Sequence, residues 1–225
     1  MTTPASTLSA LVLGATGLVG RNCLDLLLGD RAYGRVLVLA RKPASREHPK
    51  LRWHVTDFGR VHEYGRLLGV DDVFCCMGTT IRAAGSREAF YKVDFGHVVE
   101  AARATAENRA RQLLLVSALG ADPHSRVFYN RVKGEAEGAI RGLPFRGTQI
   151  FRPSLLLGQR EEFRLGERLA ALALAPLSLL RVGAARKYRP VPVAAVAAAM
   201  VRVAKMAPRG VNVFESDRIA ALAAA

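Results

Sequence analysis

The chain has few cysteines and no long apolar run, and each shortage excludes a class of protein. Three cysteines in 225 residues, two of them adjacent, cannot build a disulfide framework, which indicates a reducing compartment. The longest apolar run, Leu169–Leu180, has 12 residues and contains Pro176, whereas a transmembrane helix needs about 20. Met1–Ala10 has no basic segment ahead of its apolar residues, so no signal peptide is expected. We therefore expect a cytoplasmic protein without a transmembrane segment, with peripheral membrane contact left open.

Acidic residues are also scarce, since 19 Asp and Glu stand against 33 Lys and Arg, for a formal net charge of +14. Only six of the basic residues are lysines, and the arginines are spread from Arg21 to Arg218 rather than concentrated in one tract. A scattered positive charge favours anionic ligands in general, so we expect no specific nucleic-acid partner. One basic stretch, Arg181–Arg189, is either a solvated loop or a contact for an anionic group or a membrane surface.

The sequence is rich in short Val/Leu runs that alternate with helical patterns. Runs that are apolar throughout are typical of strands buried on both faces of a parallel sheet. The order predicts an α/β fold, a single-domain doubly wound parallel sheet over residues 1–225, with a small substrate-side cap at about 155–210. In that cap, Leu169–Leu180 is core, pocket wall or dimer contact. The predicted strands are Leu8–Leu13, Val36–Ala40, Leu51–Val55, Val73–Met77, Gln112–Ser117, Thr148–Phe151 and Val211–Phe214, and the predicted helices are Leu18–Leu28, one that begins near Ser86, Ser125–Arg141 and one from Pro192.

A glycine-rich segment, Gly14–Gly20 (GATGLVG), lies between the first predicted strand and the first predicted helix. Glycine there lets the turn tighten and the backbone approach a pyrophosphate, whose charge the helix N-terminus stabilises. The spacing is GxxGxxG, which differs from the GxGxxG dinucleotide motif. Its position after the first strand of a βαβ series nevertheless predicts a Rossmann-type, dinucleotide-binding domain.

The second predicted strand is followed by Arg41 and Lys42, with no acidic residue before Glu47. A carboxylate at this position would bind the ribose 2′-hydroxyl of NAD, whereas an arginine accommodates the 2′-phosphate of NADP. We therefore expect NADP(H) to be preferred over NAD(H). The alternative is a solvated basic loop.

The segments after the third and fourth predicted strands supply further candidates. Asp57 either accepts a hydrogen bond from the adenine amino group or caps the helix that follows. The backbone of Cys76–Thr79 passes near the expected middle of the cofactor, where Gly78 permits a close approach. We expect the two adjacent cysteines to be buried apolar residues rather than reactive thiols, because no His or basic residue is near them in sequence.

Three residues form the candidate catalytic group. Tyr129 and Lys133 are four residues apart in a predicted helix, which places both on one helix face. The pKa of a free tyrosine is about 10, and an ammonium one turn away is expected to lower it towards neutral pH. Ser117 ends the fifth predicted strand, at the edge where open α/β sheets bind ligands, and its hydroxyl could hold the carbonyl oxygen that Tyr129 protonates.

Five segments, GATGLVG, FCCMGTT, LLLVSALGA, YNRVK and FRPSLLLG, resemble the short-chain dehydrogenases/reductases. The resemblance is to an atypical, short NAD(P)-binding subgroup that includes the Tat-interacting protein oxidoreductase and its bacterial relatives, and it spans nearly the whole chain. It implies that Ser117, Tyr129 and Lys133 are the catalytic residues. It implies cofactor contacts along the sheet edge, at Gly14, Thr16, Gly17, Leu18, Val19, Gly20, Arg41, Lys42, Asp57, Phe58, Cys76, Met77, Gly78, Thr79, Pro153 and Leu155.

The sequence thus predicts an NADPH-dependent reductase of a small carbonyl substrate. The alternative is an NADPH-binding sensor or scaffold protein with little turnover. The five histidines show no metal-ligand spacing, so no metal is expected, and His97 is expected to be a core residue. A homodimer is left open.

Overall fold

The structure is a computed structural model that describes residues 7–43, 47–157 and 187–225. All pairings between neighbouring strands of its seven-stranded sheet are parallel, and the strand order is β3-β2-β1-β4-β5-β6-β9. The order reverses between β1 and β4, which confirms the doubly wound α/β prediction. The strands are β1 Leu8–Leu13, β2 Tyr33–Ala40, β3 Leu51–Val55, β4 Asp72–Cys75, β5 Gln112–Val116, β6 Gly147–Arg152 and β9 Gly210–Glu215, and a separate pair consists of β7 Leu156–Leu157 and β8 Val191–Pro192.

The helices flank this sheet, and one of them departs from its prediction. Ser86 begins helical structure as expected, because its Oγ accepts a hydrogen bond from the Ala89 amide at 3.1 Å. The predicted single helix is instead α-helical, then π-helical, then α-helical again. Together with a 3₁₀ segment at Phe58–Leu68 and a π segment at Lys92–His97, the described helices are α1 Leu18–Gly29, α2 Ile81–Ala84, α3 Arg87–Tyr91, α4 Val98–Glu107, α5 Phe128–Arg141, α6 Val193–Met206 and α7 Ser216–Ala224.

Two apolar layers cover the two faces of the sheet. On β1, Ala10 and Val12 pack with residues of α1 and α6, whereas Leu11 and Leu13 pack with the 3₁₀ segment, α4 and α5. All four side chains are fully buried. Successive side chains of a strand point to opposite faces, so a strand covered on both sides must be apolar throughout. This is why the strands appear in the sequence as continuous Val/Leu runs.

Part of the predicted cap lies outside the described residues, including Leu169–Leu180 and most of Arg181–Arg189. Within the described range, α6 packs against α1 in the core, where the Cys23 and Met200 sulfurs lie 3.9 Å apart. The cap therefore stays a prediction. Across residues 7–43, 47–157 and 187–225, the helices are all too short or too polar to cross a membrane.

The amino edge of the sheet is held by a buried charged network. Asp72 begins β4 and is fully buried. Its carboxylate accepts hydrogen bonds from the Tyr33 hydroxyl at 2.6 Å, Arg111 Nη2 at 2.6 Å and Gln112 Nε2 at 2.7 Å. A buried carboxylate is stable only when it is paired in this way. The network therefore joins the starts of β2, β4 and β5.

Candidate cofactor and catalytic site

The opposite, carboxyl edge collects the predicted site residues. Because the strands are parallel, the segments that follow β1, β4, β5 and β6 all leave the sheet at this edge, beside the point where the strand order reverses. The segments after β1 and β4 are in contact, since the Cys76 amide donates to the Leu13 carbonyl at 2.9 Å. The segments after β5 and β6 are joined by the Leu119 amide, which donates to the Pro153 carbonyl at 2.9 Å.

The glycine segment has no room for side chains at two positions. Gly14 has φ +79°, and a Cβ atom there would lie 2.5 Å from the Cys76 carbonyl oxygen. A Cβ atom on Gly20 would lie 2.1 Å from the Gly14 carbonyl oxygen. These two glycines let α1 start directly over the end of β1, as expected from the motif.

The N-terminus of α1 has the features of an anion site. Gly17 is the N-cap residue, and no side chain accepts a hydrogen bond from the first turn. The first amides of a helix have no partner within the helix, so they are available to a phosphate. Among the other predicted contacts in this segment, Thr16 is exposed, Leu18 is half-buried, and Val19 is buried in the core.

Arg41 and Lys42 directly follow β2 and are exposed. The Lys42 carbonyl accepts a hydrogen bond from Trp53 Nε1 at 2.9 Å, which ties this segment to β3. The Asp57 carboxylate accepts from the Gly59 amide at 3.0 Å, so the capping alternative for this residue is confirmed. Its contact with adenine stays a prediction.

His97 lies near these residues rather than in the core. It is half-buried, and its ring centroid is 6.0 Å from that of Phe58. Burial lowers the pKa of His97, the charges of Lys92 and Arg41 lower it further, and Asp57 acts in the opposite direction. The ends of β2 and β3 and the π segment therefore meet at one place on the carboxyl edge.

Both adjacent cysteines have thiols with a raised pKa, as expected of unreactive cysteines, but only Cys75 is buried and Cys76 is half-buried. Cys75 is fully buried, and burial raises the pKa of its thiol to about 12. A hydrogen bond with Cys23, together with burial, raises the pKa of Cys76. A thiol with a raised pKa holds little thiolate at neutral pH and is a poor nucleophile. The Met77 side chain is likewise buried.

Lys133 is paired with a carboxylate that the sequence analysis missed. Its Nζ atom lies 2.7 Å from Asp94 Oδ1, and both side chains are buried. Asp94 Oδ2 also accepts a hydrogen bond from the Thr79 amide at 2.9 Å. A Cβ atom on Gly78 would lie 3.2 Å from Asp94 Oδ1 and 3.5 Å from Lys133 Nζ, so the backbone after β4 runs directly beside this ion pair.

A signal for Asp94 was present in the sequence. It is spaced four residues from Phe90 and four from Val98, both of which are buried. A carboxylate in an apolar helix stripe needs a cationic partner, because a buried unpaired charge is very costly. Burial alone would lower the pKa of Lys133, but Asp94, Tyr129 and Cys75 together outweigh burial and the net shift is upward.

Lys133 lowers the pKa of Tyr129 as predicted, but the net shift of that pKa is upward. The Tyr129 ring packs against Phe90, with ring centroids 5.6 Å apart. Burial raises the pKa of Tyr129 above its ordinary value, Asp94 raises it further, and Lys133 offsets only part of this. The main cause is burial, and because Asp94 offsets part of the Lys133 charge, the ammonium does not bring the pKa of Tyr129 down as expected.

The structure joins Ser117 to a carboxylate rather than to the other two predicted catalytic residues. Ser117 is buried just after β5, and its hydroxyl donates to Glu137 Oε1 at 2.6 Å. Its expected role of donating to a substrate carbonyl oxygen is therefore not seen in this arrangement. Pro153 is buried after β6, and the carbonyl oxygen of Leu155 accepts from the Val191 amide at 2.9 Å.

Comparisons with known proteins show the family to which this chain belongs. The profile of a family described as NAD(P)H-binding matches residues 14–141. The chain belongs to this NAD(P)H-binding family. It is 36% identical to HTATIP2 of Rattus norvegicus over 166 residues, which cover 72% of this chain and 68% of that protein. It is 39% identical to the mitochondrial protein fmp52 of Aspergillus clavatus over 163 residues, which cover 69% and 70%.

Solved structures of other proteins have the same fold. The human epimerase family protein SDR39U1 with NADPH is 19% identical with a TM-score of 0.61, and the match covers 92% of this chain and 74% of that one. The Bordetella bronchiseptica enzyme WbmH with NAD+ is 14% identical with a TM-score of 0.69, covering 93% and 76%. The predicted resemblance to atypical short-chain dehydrogenases/reductases is confirmed.

The predicted cytoplasmic location is contradicted. Relatives from Eremothecium gossypii, Emericella nidulans and Aspergillus clavatus are named as mitochondrial proteins. The prediction failed because cysteine usage separates secreted from intracellular proteins and does not distinguish one intracellular compartment from another.

Proposed function

We propose that this member of the NAD(P)H-binding family is an NADPH-dependent oxidoreductase that reduces a carbonyl group of a small molecule. The observation that carries the proposal is the place of the Lys133 ammonium. It is buried one helical turn from Tyr129 and beside the backbone of Gly78. At this place α5 meets the segment that follows β4, at the carboxyl edge of the sheet.

The residues at this edge fit the cofactor. The amides at the start of α1, opened by Gly14 and Gly20, would hold the pyrophosphate. Arg41 would bind the 2′-phosphate. The backbone at Gly78 would pass along the middle of the dinucleotide. When bound, the reduced nicotinamide supplies a hydride to the substrate.

Tyr129 is the proton donor in this proposal. Its raised pKa keeps the phenol protonated at neutral pH, which suits donation to a carbonyl oxygen that gains negative charge. Lys133 stays charged because Asp94 holds its proton, and its ammonium stabilises the phenolate that remains after donation. The described geometry therefore supports reduction.

Tyr129→Phe tests the role of the phenol. We expect the rate of NADPH oxidation, measured with a panel of aldehydes, ketones and quinones, to fall by about 10²–10⁴-fold because the proton donor is gone. The dissociation constant for NADPH should stay within about twofold of the original value, since the ring and its packing on Phe90 remain.

The matched control is Tyr91→Phe, which removes a hydroxyl from an exposed tyrosine on α3 and should leave the rate unchanged. Turnover that survives in Tyr129→Phe would remove Tyr129 from the mechanism. A wild-type protein that binds NADPH and oxidises it with no member of the panel would support the sensor or scaffold alternative.

Arg41→Ala tests the preference for NADP(H). A charge-assisted hydrogen bond is worth about 1.5–3 kcal/mol, so the dissociation constant for NADPH should rise by about 10–100-fold while that for NADH changes little. Arg66→Ala removes the same charge from an exposed arginine of the 3₁₀ segment and is the control. Equal losses for both cofactors would contradict the assignment of Arg41.

A further inference from the structure

Glu137 is a buried carboxylate to which the proposed mechanism gives no role. It lies on α5 and is 1% exposed. It follows Lys133 by four residues and Tyr129 by eight, so it extends the stripe of proposed catalytic residues by one helical turn. Removing a carboxylate from water is costly, so its partners define what it does.

Both oxygens of Glu137 are fully engaged. Oε1 accepts hydrogen bonds from the Ser117 hydroxyl at 2.6 Å and from Arg152 Nε at 2.9 Å. Oε2 accepts from Arg152 Nη2 at 2.6 Å and from Arg141 Nη2 at 3.2 Å. The pairing with Arg152 is bidentate, the geometry in which an arginine–carboxylate contact is strongest.

These contacts determine which further hydrogen bonds the Ser117 hydroxyl can form. A serine hydroxyl has one proton and two lone pairs. Because the proton is donated to Glu137, any other partner meets only the lone pairs of the Ser117 oxygen. Arg152 ends β6 directly before Pro153, so the same carboxylate also links the segments after β5 and β6.

We propose that Glu137 is a positioning residue of this site. It holds the proton of Ser117 so that the serine oxygen can accept a hydrogen bond from the hydroxyl group that forms as the carbonyl is reduced, and through Arg152 it fixes the segment that begins at Pro153. The effect of Glu137 on kcat rests on the proposed function. Its effect on the Ser117 rotamer and on the position of Pro153 does not.

The structural test is a crystal structure of Glu137→Gln, which keeps the shape and removes the charge. We expect Ser117 to leave its present rotamer or to occupy more than one, and Pro153 to shift relative to β6. Glu135→Gln is the control and should change neither, since Glu135 lies on the same helix but contacts Arg131, at 3.8 Å, and Tyr91 instead of Ser117 or Arg152. An unchanged Ser117 rotamer together with an unmoved Pro153 would overturn the proposal.

The kinetic test is a double-mutant cycle on NADPH oxidation with the panel member that reacts fastest. Glu137→Gln should lower kcat about 10-fold with little change in the NADPH dissociation constant, because a charge-assisted bond to Ser117 is lost. In a Ser117→Ala background the same change should lower kcat by clearly less than about 10-fold, since only the contact with Arg152 is left for Glu137 to maintain.

An equal loss in both backgrounds would show a merely structural role and overturn the inference. If Glu137→Gln does not fold, Glu137→Asp serves in its place, because it keeps the charge beside Arg152 and withdraws the carboxylate from Ser117. If the wild-type protein oxidises no NADPH with any panel member, the proposed function fails, and the rotamer of Ser117 still decides the role of Glu137.

Discussion

At the residue scale, burial and Asp94 together outweigh the effect of Lys133 on the pKa of Tyr129. A lysine one turn from a tyrosine would by itself favour the phenolate. Here the ammonium is 2.7 Å from a buried carboxylate, and the pKa of Tyr129 is raised by burial and by Asp94 in spite of Lys133. The arrangement suits a proton donor and is unsuited to a base at neutral pH.

Asp94→Asn should therefore change the pH dependence of reduction. A raised folded-state pKa means that the phenol proton is retained as the pH rises and is lost only above that pKa. Without the Asp94 carboxylate the pKa values of both Tyr129 and Lys133 fall, so whichever group loses its proton first, the alkaline limb of kcat against pH should move to lower pH. The measurement is NADPH oxidation across the pH range in which the protein stays folded.

Glu88→Gln is the control for this change, since Glu88 is an exposed carboxylate in the first turn of α3. It should leave the alkaline limb in place. An alkaline limb that does not move in Asp94→Asn would show that Asp94 has no influence on the proton of Tyr129.

The roles of the carboxylates Asp94 and Glu137 could not be predicted from the sequence. Tyr129, Lys133 and Ser117 could be selected from one helical spacing and one strand end. Asp94 and Glu137 were not selected, because their roles depend on partners 39 and 20 residues away in sequence. A spacing rule within one helix does not contain such tertiary contacts.

At the scale of elements, the strands and the turn after β1 were the most predictable parts. Every predicted strand is present, and its ends differ from the predicted ones by at most three residues. The 3₁₀ segment, the π segment, α2 and α7 were not predicted. The π segment shows why, since Asp94 and its neighbours are held by tertiary contacts that a helical repeat of 3.6 residues does not describe.

The turn after β1 leads to a paired prediction on α1. Gly20→Ala places a Cβ atom 2.1 Å from the Gly14 carbonyl oxygen, so the turn must move, and NADPH affinity should fall by about tenfold or more. Gly29→Ala, at the other end of the same helix, meets nothing within 4 Å and should be neutral or stabilising by up to about 1 kcal/mol.

Fluorescence titration with NADPH and thermal denaturation separate the two variants. Wild-type affinity in Gly20→Ala would contradict a role of this turn in cofactor binding. A strong loss of stability in Gly29→Ala would show that α1 is sensitive to any substitution. The effect of Gly20→Ala could then not be assigned to the turn after β1.

At the scale of the whole molecule, the two edges of the sheet have different tasks. The carboxyl edge carries the residues of the proposed function, whereas the amino edge carries the Asp72 network. Tyr33 is fully buried in that network, and its hydroxyl is one of three groups that donate to Asp72. A variant there should affect stability and leave the site intact.

Tyr33→Phe tests this division. Removing a donor from a buried carboxylate should lower the free energy of unfolding by about 1–3 kcal/mol, which corresponds to about 2–4 °C in Tm per kcal/mol for a chain of this length. The NADPH dissociation constant should not change. Tyr64→Phe removes a hydroxyl that donates to the Val55 carbonyl near the surface and should have a smaller effect on Tm.

The division between the two edges also has a use in protein engineering. The hydrogen bonds of Asp72 join the strands at the amino edge, which is opposite to the edge with the proposed catalytic residues. Libraries that randomise surface loops at the carboxyl edge, outside the glycine segment, can therefore be screened for activity on new substrates while the residues of the Asp72 network are left unchanged. Stability and specificity become two separate variables in such a search.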